Sequence, residues 1–136
     1  MRRTAVLRVA RPTNDLDAVL RFYKEALGLE ELDRFENHDG FDGVMLGRPG
    51  EPYHFEFTRA LGRDAGRAPT EDNLTVFYLP DRADWERAVV RMKQHGHSSV
   101  RSFNPYWDRE GITFEDNDGY RIVLQNAEWR SYEAED

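Results

Sequence analysis

The 136-residue sequence contains no cysteine. Disulfides, thiol catalysis and cysteine-type zinc sites are therefore excluded. No apolar run approaches the roughly 20 residues of a membrane-spanning helix, so no membrane partner is expected. There is no cluster of Lys or Arg either. Nineteen basic against 26 acidic residues leave a net charge of −7. That balance suits neither DNA nor RNA phosphates, and no nucleic-acid partner is expected. The start, Met1-Arg2-Arg3-Thr4-Ala5-Val6-Leu7-Arg8, is basic, but its apolar stretch is too short for a secretory signal and Arg8 interrupts it. The expected location is cytoplasmic. No phosphate-cradling loop or Ser-His-Asp arrangement is present, and Gly47-Arg48-Pro49-Gly50 reads as a turn.

What is present is enough for a core: eight Phe, three Trp and six Tyr in a chain that is 39% hydrophobic. The length fits one domain, or two small modules sharing a core. Residues 4–10 read as a strand, ended by Arg11-Pro12-Thr13-Asn14 because proline does not sit inside a central strand. Thr13 or Asn14 can cap a helix with Asp17 in its first turn. Leu16, Val19, Leu20, Tyr23, Ala26 and Leu27 recur at helical spacing, and Gly28 ends the run. Three strands follow at 29–35, 41–46 and 53–58. In the last, Phe55 and Phe57 alternate with His54, Glu56 and Thr58. Residues 59–72 are polar and aperiodic and read as a connector. A strand at 73–79 then leads to a helix capped by Asp81, with Trp85, Ala88, Val89 and Met92 as its apolar stripe and Gly96 at its end. Strands are expected at 98–103, 111–115 and 121–125, the last two joined by the turn Asp116-Asn117-Asp118-Gly119. From 127 to 136 the chain is an acidic tail.

Strand-helix-strand-strand-strand is thus written twice. Asp15 and Glu56 are 41 residues apart, Asp81 and Val123 are 42 apart. Arg8 to Asn73 spans 65 residues, Glu56 to Val123 spans 67. Similar offsets for successive parts indicate one module used twice, at 4–58 and 73–126.

The stretch Asp15-Leu16-Asp17-Ala18-Val19-Leu20-Arg21-Phe22-Tyr23-Lys24-Glu25-Ala26-Leu27-Gly28-Leu29 resembles the first-helix signature of the vicinal oxygen chelate superfamily. This group includes glyoxalase I, extradiol dioxygenases, fosfomycin-resistance enzymes and bleomycin-binding proteins. Thr113-Phe114-Glu115-Asp116-Asn117-Asp118-Gly119-Tyr120-Arg121-Ile122-Val123-Leu124 resembles its last hairpin, with Asn117 where the usual turn has proline. With the repeat, the resemblance covers residues 4–126. It implies an α+β fold, a single domain over 1–136, in which two βαβββ modules form a half-barrel pair around a U-shaped cavity. It also implies that metal ligands, where present, come from the first and last strands of each module, and that the divalent ion keeps an open position for substrate.

Position by position, the implied ligand set is incomplete. Glu56 matches in the last strand of module one, whereas its counterpart Val123 cannot bind metal. Asn73 stands where many members carry His. The first strand offers Arg8, or Thr4 if residues 10–13 are an insertion. A site of two histidines and one carboxylate would need His54 beside Glu56 and a second His from elsewhere. Glu56 and His54 are accordingly the candidate metal ligands, and Glu56 the candidate catalytic group. The competing reading is a polar pair with Glu56 bridged to Arg8, which balances its charge without metal.

Tyr106 and Trp107 sit in a polar loop near the implied cavity mouth, where a planar ligand or a partner subunit could cover them. Phe41 and Phe114 are candidates to extend that lining. His95 and His97 flank Gly96 at a helix end, where imidazoles commonly meet terminal carbonyls.

The expectation is a small-molecule binder with an incomplete metal site and no required cofactor. Arg8, His54, Glu56, Asn73, Tyr106, Trp107 and Arg121 would line its cavity, and an aromatic or cationic compound would fill it. The alternative is a metal-dependent lyase, isomerase or dioxygenase of the glyoxalase type using Glu56 and His54, with a divalent metal as cofactor. A homodimer, usual in the superfamily, is expected under either.

Overall fold

The computed structural model describes residues 1–131. The chain forms two compact units, the first ending at Arg67 and the second starting at Ala68. The first unit runs strand, helix, strand, strand, strand, and the second repeats that order with one added helical turn before its third strand, so the α+β architecture is two βαβββ modules.

In the first unit, β1 (Leu7–Pro12), β2 (Glu30–His38), β3 (Phe41–Gly47) and β4 (Tyr53–Ala60) form a sheet ordered β1-β4-β3-β2. β1 runs parallel to β4, and the other neighbours are antiparallel. β1 begins three residues later than the pattern predicts, so Thr4 lies outside it and Arg8 takes the position opposite His54. The strand also includes Pro12. An edge strand tolerates this because only one side of it is paired. Pairing continues past the proline, the Thr13 N–H donating to the Thr58 carbonyl at 2.8 Å.

The helix cap is Asp15, not Thr13 or Asn14. Its carboxylate accepts from the Ala18 N–H at 3.0 Å and opens α1 (Leu16–Val19). The helix then widens into a π-helix over Leu20–Ala26. The Leu27 N–H reaches back five residues to the Phe22 carbonyl at 2.9 Å. The wider turn changes the buried face. Phe22 joins Val19, Tyr23 and Ala26 in the core, while Leu20 and Leu27 are only half-buried. The Tyr23 ring lies 4.7 Å from Phe57 and 4.8 Å from Phe22, centroid to centroid. Val44, Leu46 and Phe55 complete this core. Each such side chain contributes about 1.5–3 kcal/mol through burial.

In the second unit, β5 (Leu74–Tyr78), β6 (Ser99–Val100), β7 (Gly111–Glu115) and β8 (Arg121–Gln125) form a sheet ordered β5-β8-β7-β6. β5 and β8 are parallel. Asp81 caps α2 (Arg82–Gln94), accepting from the Asp84 N–H at 2.9 Å. Val89 and Met92 are buried, and the half-buried Trp85 donates its indole N–H to the Leu124 carbonyl at 2.8 Å. The β7–β8 turn is held by Asp116, whose carboxylate accepts from the N–H groups of Asp118 and Tyr120. Asn117 therefore replaces proline at an exposed position without loss of the turn. The strand expected at 98–103 shrinks to two residues, and a helical turn, α3 (Tyr106–Arg109), stands where a loop was expected. Pro105 supplies the helical φ of −63°, and the Asn104 side chain accepts from the Tyr106 N–H at 3.0 Å.

The expected connector is tied down rather than free. β4 runs into it as far as Ala60. Asn14 then clamps it, donating to the Asp64 carboxylate at 2.9 Å and accepting from the Ala65 N–H at 2.7 Å. On the other side of the boundary, the Ala68 N–H donates to the Asp118 carbonyl at 2.8 Å. Residues 132–136, the end of the acidic tail, lie outside the described residues.

Candidate functional site

Two polar constellations stand out, one in each unit. In the first unit, parallel pairing sets Arg8 beside His54 and Ala10 beside Glu56. Register partners share a face, so residues 8, 54 and 56 project to the same side of the sheet. The Arg8 Nε–H donates to His54 Nε2 at 2.9 Å, and Arg8 Nη1 lies 3.4 Å from the Glu56 carboxylate. Arg8 is half-exposed and Glu56 is largely shielded. One guanidinium thus serves an imidazole and a carboxylate together.

In the second unit, a cleft of about 690 Å³ opens beside α3. Its walls carry Tyr78, Tyr106, Trp107 and Trp129, with Glu110 and Glu128 among the polar groups. Tyr106 and Trp107 meet edge to face, with centroids 4.9 Å apart. The Arg109 guanidinium already lies 5.9 Å from the Tyr106 ring, so that ring carries one cation. Asn126 ties the cleft to the strand ends, donating to the Leu79 carbonyl at 3.0 Å from its side chain and to the Glu110 carbonyl at 2.8 Å from its backbone.

Arg8, His54 and Glu56 meet in the first unit, and Tyr106 and Trp107 meet in the second. Asn73 precedes β5 and uses its side-chain oxygen to accept from the N–H and hydroxyl of Thr70. Arg121 is not a wall of the cleft. It is buried, with Nε 3.2 Å from Glu115, Nη2 3.8 Å from Glu71 and Nη1 donating to the Arg101 carbonyl. Phe114 is fully buried in the second unit, and Phe41 stands exposed in the first. His95 donates to the Arg91 carbonyl at 2.9 Å, as a helix-end imidazole does. Tyr78, Glu110, Asn126 and Trp129 were not singled out from the sequence. The alternation of Leu74, Val76 and Tyr78 along β5 is the only local signal for one of them.

The domain models of one family match both units. The YycE-like N-terminal domain matches residues 7–58, and the YycE-like C-terminal domain matches residues 72–126. The chain belongs to the YycE-like family. The YycE protein of Bacillus subtilis is 44% identical over 123 residues, covering 90% of this chain and 88% of that protein. A crystal structure of that YycE, described as a glyoxalase/fosfomycin-resistance type protein of unknown function, superposes with a TM-score of 0.87 at 43% identity, covering 95% and 94% of the two chains. The trypanothione-dependent glyoxalase I of Leishmania major shares the fold at a TM-score of 0.69 and 23% identity, covering 93% of this chain and 88% of that one. So does TnmS3, an antibiotic-binding protein of Streptomyces sp. CB03234, at 0.62 and 19%, covering 88% and 93%. The YycE-like chain is thus a member of the vicinal oxygen chelate superfamily.

Some superfamily members use a divalent metal held by His and carboxylate donors. Among the described residues, no three His, Cys, Asp or Glu side chains converge. Val123, the counterpart of Glu56, is buried opposite Val76 and offers no donor. His54 Nε2 is engaged by Arg8. These residues do not fit a divalent ion. Among the described residues no helix is long and apolar enough to cross a membrane.

Proposed function

We propose that this YycE-like protein binds a small aromatic or cationic compound in the cleft beside α3, without a complete metal site. The observation that carries this reading is the lining itself: four aromatic rings together with the carboxylates of Glu110 and Glu128, the latter paired with Arg130, which also lines the cleft. Aromatic faces attract organic cations, and carboxylates add the charge that a cation seeks. A volume of about 690 Å³ accommodates a drug-sized guest. The net charge of −7 favours the approach of a cation over that of an anion. Binding of this kind needs no reaction. The reading includes a homodimer in the cytoplasm, to be checked by light scattering of the purified chain.

The glyoxalase-type reading would use Glu56 and His54. It is less well supported, because Arg8 already engages both groups. Titration of the intact protein with planar organic cations and with neutral analogues of the same shape, followed by tryptophan fluorescence, separates the two. Tighter binding of the cations, unchanged by EDTA and weakened by Glu110→Gln, is expected. Binding that disappears on chelation would overturn the reading. Metal-dependent turnover abolished by Glu56→Gln would establish the glyoxalase-type one.

A further inference from the structure

We propose that the Arg8 guanidinium is a built-in cation occupying a metal-type seat formed by His54 and Glu56. The seat rests on the metal-poor part of the reading above, and the titrations below test it without reference to the cleft ligand.

The geometry has three parts. His54 and Glu56 alternate on one face of β4, the i, i+2 spacing from which two side chains can close on one ion. Their contacts to Arg8 are through an imidazole nitrogen and a carboxylate oxygen, the donor types that hold divalent ions. Arg8 reaches both from the neighbouring strand, where it is the register partner of His54. A guanidinium keeps its charge at any working pH and only donates hydrogen bonds. It therefore faces the Glu56 carboxylate as a counter-charge and takes up the His54 Nε2 lone pair. The His54 proton must then sit on Nδ1. The corresponding register positions of the second unit pair Leu74 with Arg121 and Val76 with Val123, which make no such seat.

Two consequences follow for the protein as it stands. His54 presents its Nε2 lone pair to Arg8, and added divalent metal must displace the guanidinium from that nitrogen and from one oxygen of Glu56. Replacing Arg8 should reverse both. Arg8→His places a third donor opposite His54 and completes a set of two histidines and one carboxylate. Arg8 is half-exposed on an edge strand, so the exchange disturbs little of the core.

The test titrates Co²⁺ and Ni²⁺ into the wild-type chain, Arg8→Ala, Arg8→His and Arg8→His/Glu56→Gln, followed by cobalt absorption and calorimetry. Unfolding curves confirm that each variant is folded. Arg8→His is expected to bind one ion per chain at least about 10-fold more tightly than wild type, and the added Glu56→Gln to remove that gain. The wild-type chain gives a second, variant-free readout, because nitrogen NMR of the imidazole reports which ring nitrogen carries the proton. Protonation on Nδ1 supports the seat. Protonation on Nε2, wild-type metal uptake equal to that of Arg8→His, or a folded Arg8→His without added affinity would overturn it.

Discussion

The ring of Tyr106 stands perpendicular to that of Trp107, with the planes at 89° and the centroids 4.9 Å apart. This edge-to-face contact sets the two rings at right angles within the cleft wall. Trp107→Ala removes the larger ring. The affinity for a planar organic cation should then fall by about 1–2 kcal/mol, or roughly 5- to 30-fold. Fluorescence displacement with an external dye measures the loss. Trp85, whose indole is bonded to Leu124 away from the cleft lining, serves as the control position, and Trp85→Phe should leave the affinity unchanged.

Asn14 holds the residues just before the unit boundary through both ends of its amide. Asn14→Ala should expose residues 61–67 to faster proteolytic nicking while leaving the thermal midpoint nearly unchanged. The Gly66 N–H, and then the Asn14 amide, hold the Asp64 carboxyl below the usual carboxylate value. A lowered carboxyl value means that the clamp contributes fully at neutral pH and is lost as pH falls through the folded-state value. Carbon NMR of Asp64 should show its titration moving upward in Asn14→Ala.

Burial, and then the neighbouring His95, hold the His97 imidazole below the usual histidine value. In the pH range just below about 6.5, the unfolded chain takes up this proton more readily than the folded one. The resulting loss of stability sets in as pH drops below that value and levels off under the folded-state value. Unfolding midpoints between pH 8 and pH 5 should decline less steeply in His97→Gln than in the wild type. Equal slopes would show that His97 does not contribute.

Phe57 is 1% exposed and packs against Tyr23 and Phe55. Phe57→Ala should cost about 3–5 kcal/mol in denaturant unfolding. Phe103 is 67% exposed, and Phe103→Ala should stay within roughly 0.5 kcal/mol. A similar cost at both positions would contradict the assigned core.

The elements read correctly from sequence are those whose causes are local. Asp81 and Gly96 bracket α2, and Asp116 with Gly119 makes the β7–β8 turn, because caps and turns depend on neighbouring backbone groups. The π-helical stretch was not legible. Widening the turn exchanges one local hydrogen bond for another, and the choice depends on how Phe22 and Tyr23 pack on the sheet. The break expected at Pro12 does not occur, because the effect of a proline depends on whether β1 is an edge or a central strand, and strand order is a tertiary fact.

The same division runs through the candidate sites. By itself the sequence determined the repeat, the alternation that puts His54 and Glu56 on one face, the lack of a donor side chain at Val123, and the two adjacent aromatics at 106 and 107. All of these follow from residue type and spacing. Only the tertiary structure decided that Arg8 lies against His54 and Glu56, 46 and 48 residues away. It alone decided that Arg121 turns to Glu115 and Glu71 instead of the cleft, and that Tyr78 and Trp129 join Trp107 in one wall. The physical reason is strand register. A shift by one residue sends every side chain of a strand to the opposite face, and long-range pairing sets that register.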